Sequence, residues 1–276
     1  LTSQPRKAWI STGAIVATHR KYQAPRVTDP REVEQRVKTR IDGYLGGENR
    51  PEVTDELRKA RLDAIPFNIR YRLSNEHITE STVIVRCDGE KRYTDIKVDS
   101  RIDSIKPGPE LAGNPKARHF NMDWNARRIF AYDGLKQTTY VLPVNNAIVD
   151  ATAVSPEGVS GTLTAGLIPW GYGFYTCDQL AASNPVAVEK YVDGRAEIHL
   201  TIEMPNGARM TAALDPKKDY ALLSCTTASP DGSQTVQEYS DYLLVEDRWI
   251  PTTISIERYE SVSGRMLSRD LWDFTK

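Results

Sequence analysis

The chain predicts an α+β fold built on a large antiparallel sheet, with helices segregated from it. Three observations predict it. From Ala196 to Phe274 the residues read as an almost unbroken meander of short alternating runs separated by turn residues. In the run after Trp249, Ile250, Thr252, Ile254 and Ile256 share one face while Thr253, Ser255 and Glu257 share the other. A period of two with one apolar side describes a sheet that covers something greasy on one face and meets water on the other. Helix signals concentrate in a charged segment at 29–65. No stretch rich in Gly, Ser or Pro divides the chain, so 1–276 reads as a single domain with a helical insertion at about 29–65.

Residues 9–22 read as a first strand, with Trp9, Ile10, Ile15 and Val16 around Gly13. Asp29 is a good N-cap and Pro30 suits the first helical position. Val33, Val37 and Ile41 form a narrow apolar stripe, and Gly43 and Gly46-Gly47 end that helix. Pro51 opens a second helix, with Val53, Leu57 and Ala60 on one side, that stops before Pro66. Strands resume at Phe67–Leu73, and His77–Cys87 and Lys91–Val98 form a hairpin around Asp88-Gly89-Glu90. Ile102–Pro115 reads as loop. Arg118–Trp124, Arg128–Tyr132 and Gln137–Leu142 are shorter strands, and a mostly non-β stretch from about Ser155 to Asn184 holds a helix near Asp178–Ala182. In the final meander, His199–Glu203 and Ala208–Leu214 flank Asn206-Gly207, a strong hairpin signal because both residues tolerate positive φ. Further strands follow at about 219–227, 236–246, 249–259 and 265–274.

A chain of 276 residues with 39% hydrophobic and 26% charged residues has the composition of an ordinary globular protein able to bury a sizeable core. With 36 basic and 37 acidic residues the net charge is −1, which argues against a nucleic-acid partner. Residues 1–28 carry Arg6, Lys7, Arg20, Lys21 and Arg26 and no acid. That basic end suits either an anionic membrane surface or envelope-protein partner, or simply solvated strand edges. No apolar run approaches a membrane span. A start at Leu1 fits a precursor trimmed of an export signal or lipid anchor, and equally a cut fragment. Cys177 and Cys225 are either a pair, with Cys87 left over, or all three are buried apolar fillers.

Signatures of catalysis are scarce. Gly158-Val159-Ser160-Gly161 has the wrong spacing for a nucleophile elbow, and no phosphate-cradling or dinucleotide fingerprint occurs. His19, His77, His119 and His199 lie far apart, none with a second ligand at metal-binding spacing, and His199 falls on the polar side of its strand. The reading is therefore no enzyme, no metal and no cofactor. Ile168-Pro169-Trp170-Gly171-Tyr172-Gly173-Phe174-Tyr175 sets four aromatics around two glycines. It is either a movable aromatic lip over an apolar cavity or a set of rings plugging the core.

Several turn residues stand in a familiar order: Tyr132-Asp133-Gly134, then Asp215-Pro216 with Tyr220, then Trp249-Ile250-Pro251-Thr252, then Ser263-Gly264 before the last strand. In strand order and turn residues, from about Phe67 to Phe274, the chain resembles the LolA-like superfamily, the bacterial outer-membrane lipoprotein carriers and their relatives. The resemblance implies a curved sheet, a half-open β-barrel, with helices covering its concave face and acyl chains held between. The insertion at 29–65 is extra to that pattern, and Arg195 and Arg209 are only positional counterparts of the arginine that ties lid to sheet in the best-known carriers.

The expected function is that of a non-catalytic periplasmic or otherwise exported envelope protein, anchored or free, that binds or transports lipid or lipoprotein acyl chains. The expected cavity residues are Ile198, Leu200, Ile202, Met210, Ala212, Leu214, Ile254 and Ile256, with Trp170, Tyr172 and Phe174 at the mouth. The alternatives are an envelope regulatory or scaffold module that grips another polypeptide, and a hydrolase assembled from scattered acids.

Overall fold

A computed structural model describes residues 12–47, 55–88, 91–106, 127–132, 137–142, 146–150, 184–204, 206–245 and 248–275. The helices come early: α1 spans Pro30–Gly47 and α2 spans Asp55–Ser74. The strands are β1 Thr12–Gln23, β2 His77–Asp88, β3 Lys91–Asp103, β4 Arg127–Tyr132, β5 Gln137–Leu142, β6 Asn146–Asp150, β7 Val186–Val192, β8 Arg195–Glu203, β9 Arg209–Asp215, β10 Ala221–Ala228, β11 Gln234–Val245, β12 Arg248–Tyr259 and β13 Met266–Thr275. All thirteen form one antiparallel sheet in the order β6-β5-β4-β3-β2-β1-β13-β12-β11-β10-β9-β8-β7. Among the described strands the sheet is open, with β6 and β7 at its ends. Its centre is the contact between the first and last strands, where Ala17 faces Phe274 and His19 faces Trp272.

The local chemistry explains most of these elements. The Asp29 side chain accepts from the Arg31 amide at 2.9 Å, capping α1 where Pro30 begins it. Between β8 and β9 the chain reverses with Gly207 at φ 79°, a value that favours glycine, while the Asn206 side chain accepts from the Ala208 amide at 3.0 Å.

Two expectations for this part of the chain are corrected. Helix α2 does not stop before Pro66; it runs through it to Ser74, so Phe67–Leu73 is helix and not strand. The alternation of Phe67, Ile69, Tyr71 and Leu73 mimics a strand, but Ile69 and Leu73 are one helical turn apart. Both pack on the α1 stripe Val33 and Val37. Arg70 adds a two-pronged ion pair to Glu34, at 2.7 and 2.8 Å. This packing offsets the hydrogen bond that an internal proline removes. Strand β3 also continues to Asp103, into the segment read as loop from Ile102. Strands β6 and β7 stand where none was expected. The readings at Arg118–Trp124 and Asp178–Ala182 lie outside the described residues.

The core follows the register. Directly opposed residues point to the same side, so one face carries Ile198 opposite Leu214, Leu200 opposite Ala212 and Ile202 opposite Met210. The same face continues through Cys225 and Gln237 to Ile256, and through Tyr239 to Ile254 and Trp272. Ala17, Val83 and Ile96 extend it across β1 to β3. Thirteen residues of this face form a single buried cluster, whereas Val27, Val33 and Val37 form a separate small one between the helices.

The end of α2 is hydrogen-bonded to the end of β3. A bulge in β3 at Asp99 restores Arg101 and Asp103 to the face that carries Val83. Tyr71 of α2 donates to Asp103 at 2.8 Å, and Asn75, just past its end, donates to the same oxygen at 2.7 Å. Arg101 donates to both Asp103 and the Tyr71 hydroxyl. Burial pushes the Tyr71 hydroxyl up to about 12, and the Asp103 hydrogen bond adds to the shift.

Candidate functional site: the apolar face of the sheet

The eight sheet residues expected to line a cavity share this one face. Ile202, Met210 and Ala212 are 1% exposed and Ile254 is 2% exposed. Leu214 is buried too, while Ile198, Leu200 and Ile256 are half-buried beside the cluster. The face therefore has a covered centre and a more accessible margin. Trp170, Tyr172 and Phe174, the expected mouth, lie outside the described residues. Arg195 and Arg209 are both exposed, and Arg209 lies 3.4 Å from Glu203 on the opposite face, so neither ties a lid to the apolar side.

Cys225 is a free thiol, fully buried in the centre of the cluster. Burial pushes it up to about 11, so it packs as a small apolar group rather than as a nucleophile.

The face also carries polar groups that the sequence reading missed. Asp270 of β13 lies opposite Lys21 of β1 on one side and Ile256 of β12 on the other. It is 9% exposed. The His19 ring nitrogen Nε2 is 3.0 Å from its Oδ1, and Arg258 Nη1 is 3.4 Å from its Oδ2. Burial alone would raise the Asp270 carboxyl. The His19 hydrogen bond and the nearby Lys21 and Arg258 charges outweigh it and hold the carboxyl below its ordinary value. His19 is also stacked on Trp272, with ring centroids 3.8 Å apart. Further along, His77 sits opposite Asp103, and burial with the Arg101 charge depresses it from 6.5 to about 4, against the pull of Asp103. Lysine, arginine and aspartate in an alternating register look like an outward-facing pattern, which is why the inward side of this corner was not legible.

The arrangement offers little to catalysis. Ser81 lies opposite His19 on β2 but makes no hydrogen bond to it, so His19 and Asp270 do not extend to an activated hydroxyl. Among the described residues no three His, Cys, Asp or Glu side chains are grouped to hold a metal, and no helix is long and apolar enough to cross a membrane. His199, expected to be solvated, is half-buried and lies 2.9 Å from Glu197.

No family model matches the chain, and no characterised protein matches it in sequence. Among solved structures it is similar to an outer membrane lipoprotein-sorting protein domain from Vibrio parahaemolyticus, with a TM-score of 0.42 and 8% identity over 96% of this chain and 84% of that one. It is similar also to a LolA superfamily protein from Nitrosomonas europaea, with a TM-score of 0.41 and 8% identity over 98% and 86%. At these values the likeness carries no argument about ligand or activity.

Proposed function

We propose that this is a non-catalytic envelope protein that holds acyl chains of lipids or lipoproteins against the apolar face of its sheet. The observation that carries the reading is the shared register of Ile198, Leu200, Ile202, Met210, Ala212, Leu214, Ile254 and Ile256. A twisted sheet of this many strands tends to curl, and curling encloses one face as a trough. The fastening of α2 to Asp103 supports placing the helical pair over that trough as its cover. Burial of hydrocarbon yields roughly 0.8 kcal/mol per CH2, so a trough of this kind retains a chain without covalent chemistry.

The centre of the face is already covered, so a chain enters at the half-buried margin, at Ile198, Leu200 and Ile256, and displaces what lies over the centre. Trp170, Tyr172 and Phe174 are proposed to line the mouth. Titration of delipidated protein with a fluorescent fatty acid tests the reading. Saturable binding at micromolar protein is expected; purely linear, unsaturable partitioning together with no lipid co-purifying from bacterial membranes contradicts it.

A further inference from the structure

A buried polar side chain stands among the greasy residues of the apolar face with only half of its amide engaged. Gln237 of β11 lies opposite Cys225 of β10 on one side and Ile256 of β12 on the other, so it projects to the apolar side. It is 7% exposed. The Tyr239 hydroxyl, two residues along the same strand and on the same face, donates to Gln237 Oε1 at 2.7 Å. That contact fixes the orientation of the carboxamide and leaves Nε2 as its free end. Among the described residues Nε2 has no hydrogen-bond acceptor. Nor is it sealed off, for among the described residues the side-chain atom that is both sealed and without a partner is Ser255 Oγ. A primary amide brings two N–H donors, and burying them without an acceptor is costly. Leucine or methionine would fill the space between Cys225 and Ile256 without that cost. A donor held at such a place, with surface still open, is matched to an acceptor that arrives from outside.

The row across the strands gives that acceptor its chemistry. On this side of the sheet the positions run Ile256, Gln237, Cys225, Ala212 and Leu200, each step about 5 Å. Ile256 is half-buried at the margin, while Cys225 and Ala212 are deep in the cluster. A chain entering at Ile256 therefore meets the Gln237 amide first and hydrocarbon surface after it. An acceptor set just ahead of a long hydrocarbon is an acyl carbonyl. A carboxylate would give up its hydration between Ile256 and Cys225 in exchange for one neutral donor, whereas an ester carbonyl has far less hydration to lose.

We propose that Gln237 recognises the carbonyl of an ester-linked acyl chain through a hydrogen bond from Nε2, with Tyr239 holding the amide in place. The inference rests on the acyl-binding reading above and narrows it from hydrocarbon in general to the acyl esters of lipids. Burial of methylene groups sets how tightly a chain is held. The amide sets which chain is preferred and where along the row its first carbon stops.

The test is competition of monopalmitoylglycerol and its ether counterpart, hexadecylglycerol, against a neutral naphthylamine probe. The two lipids share head group and chain length and differ by the carbonyl oxygen of the linkage. Each is run on the wild type, on Gln237→Leu, and on the double variant Gln237→Leu with Tyr239→Phe. The double variant removes both partners of one hydrogen bond, so neither is left buried and unpaired. The wild type is expected to favour the ester over the ether by about fivefold, the share of one neutral hydrogen bond. In both variants the ratio falls close to one. Equal competition by the two lipids in the wild type overturns the proposal, and so does an ester preference that survives in either folded variant. If neither lipid displaces the probe from any form, the acyl-binding reading itself falls and the Gln237 assignment with it.

Discussion

On one face of the sheet the buried centre is an apolar cluster, and charged groups such as Lys21, or Glu189 opposite Ile198, stand outside it; on the other face ion pairs are spread along the sheet's length. The second face carries Arg20 with Glu80, Lys97 with Asp99, Arg269 with Glu257 and Arg209 with Glu203. Exposed pairs of this kind contribute roughly 0–1 kcal/mol each, so they keep the face in water more than they hold it together. The apolar face does the opposite. Its cohesion comes from buried area, and each polar group on it is a cost that needs a partner. The contrast shows where a ligand has something to gain: hydrocarbon gains nothing on the ion-paired side and much on the other.

The largest break in that contrast comes from one residue and its neighbour. Met210→Asp places an unpaired charge at a site 1% exposed, while Arg209→Asp places the same charge one residue away on the wet face. Urea unfolding is expected to show a loss of several kcal/mol for the first and about 1 kcal/mol or less for the second. Next comes Ile254→Ala, which leaves a cavity at a site 2% exposed and is expected to cost about 2–5 kcal/mol.

A smaller effect concerns pH. His77 titrates at about 4 in the folded protein against an ordinary 6.5. Between those values the unfolded chain binds the proton and the folded one does not, so stability falls as pH drops through that window. His77→Gln should flatten the slope of unfolding free energy between about pH 6.5 and 4. Asp270 acts in the acid range below it. Its depressed carboxyl contributes stability that is complete above the unfolded carboxylate value and is lost as pH falls through the folded one. Asp270→Asn removes that acid-range component.

The smallest expected effect sharpens the account of the wet face. Ser255 lies among its polar residues yet is 8% exposed, and its hydroxyl has no hydrogen-bond partner. Ser255→Ala is expected to be neutral or stabilising by up to about 1 kcal/mol, read as the urea midpoint.

The meander was legible because each of its strands alternates and each turn carries its own chemistry. Gly207, Gly232 and Gly264 all take positive φ at reversals the sequence marks. Strand β7 was missed although Asp193 and Gly194, at φ 50° and 76°, form the turn that closes it on β8. Its residues are exposed on both faces, so it lacks the one-sided apolar pattern that identifies an inner strand. Past Pro66 the period-two pattern of Phe67, Ile69, Tyr71 and Leu73 points to a strand; only packing on α1 makes Ile69 and Leu73 a helical stripe. That the eight apolar residues share one face of the sheet followed from alternation alone. The Lys21 and Asp270 corner did not, because it depends on β1 pairing with β13 across nearly the whole chain.

The most direct test of the central claim is photocrosslinking with a diazirine-bearing fatty acid, followed by peptide mass spectrometry. The account predicts labelling that excess palmitate abolishes, on residues of the apolar face in 195–203, 209–215 and 248–259. Labelling confined to the ion-paired face, or labelling that excess palmitate does not displace, contradicts it.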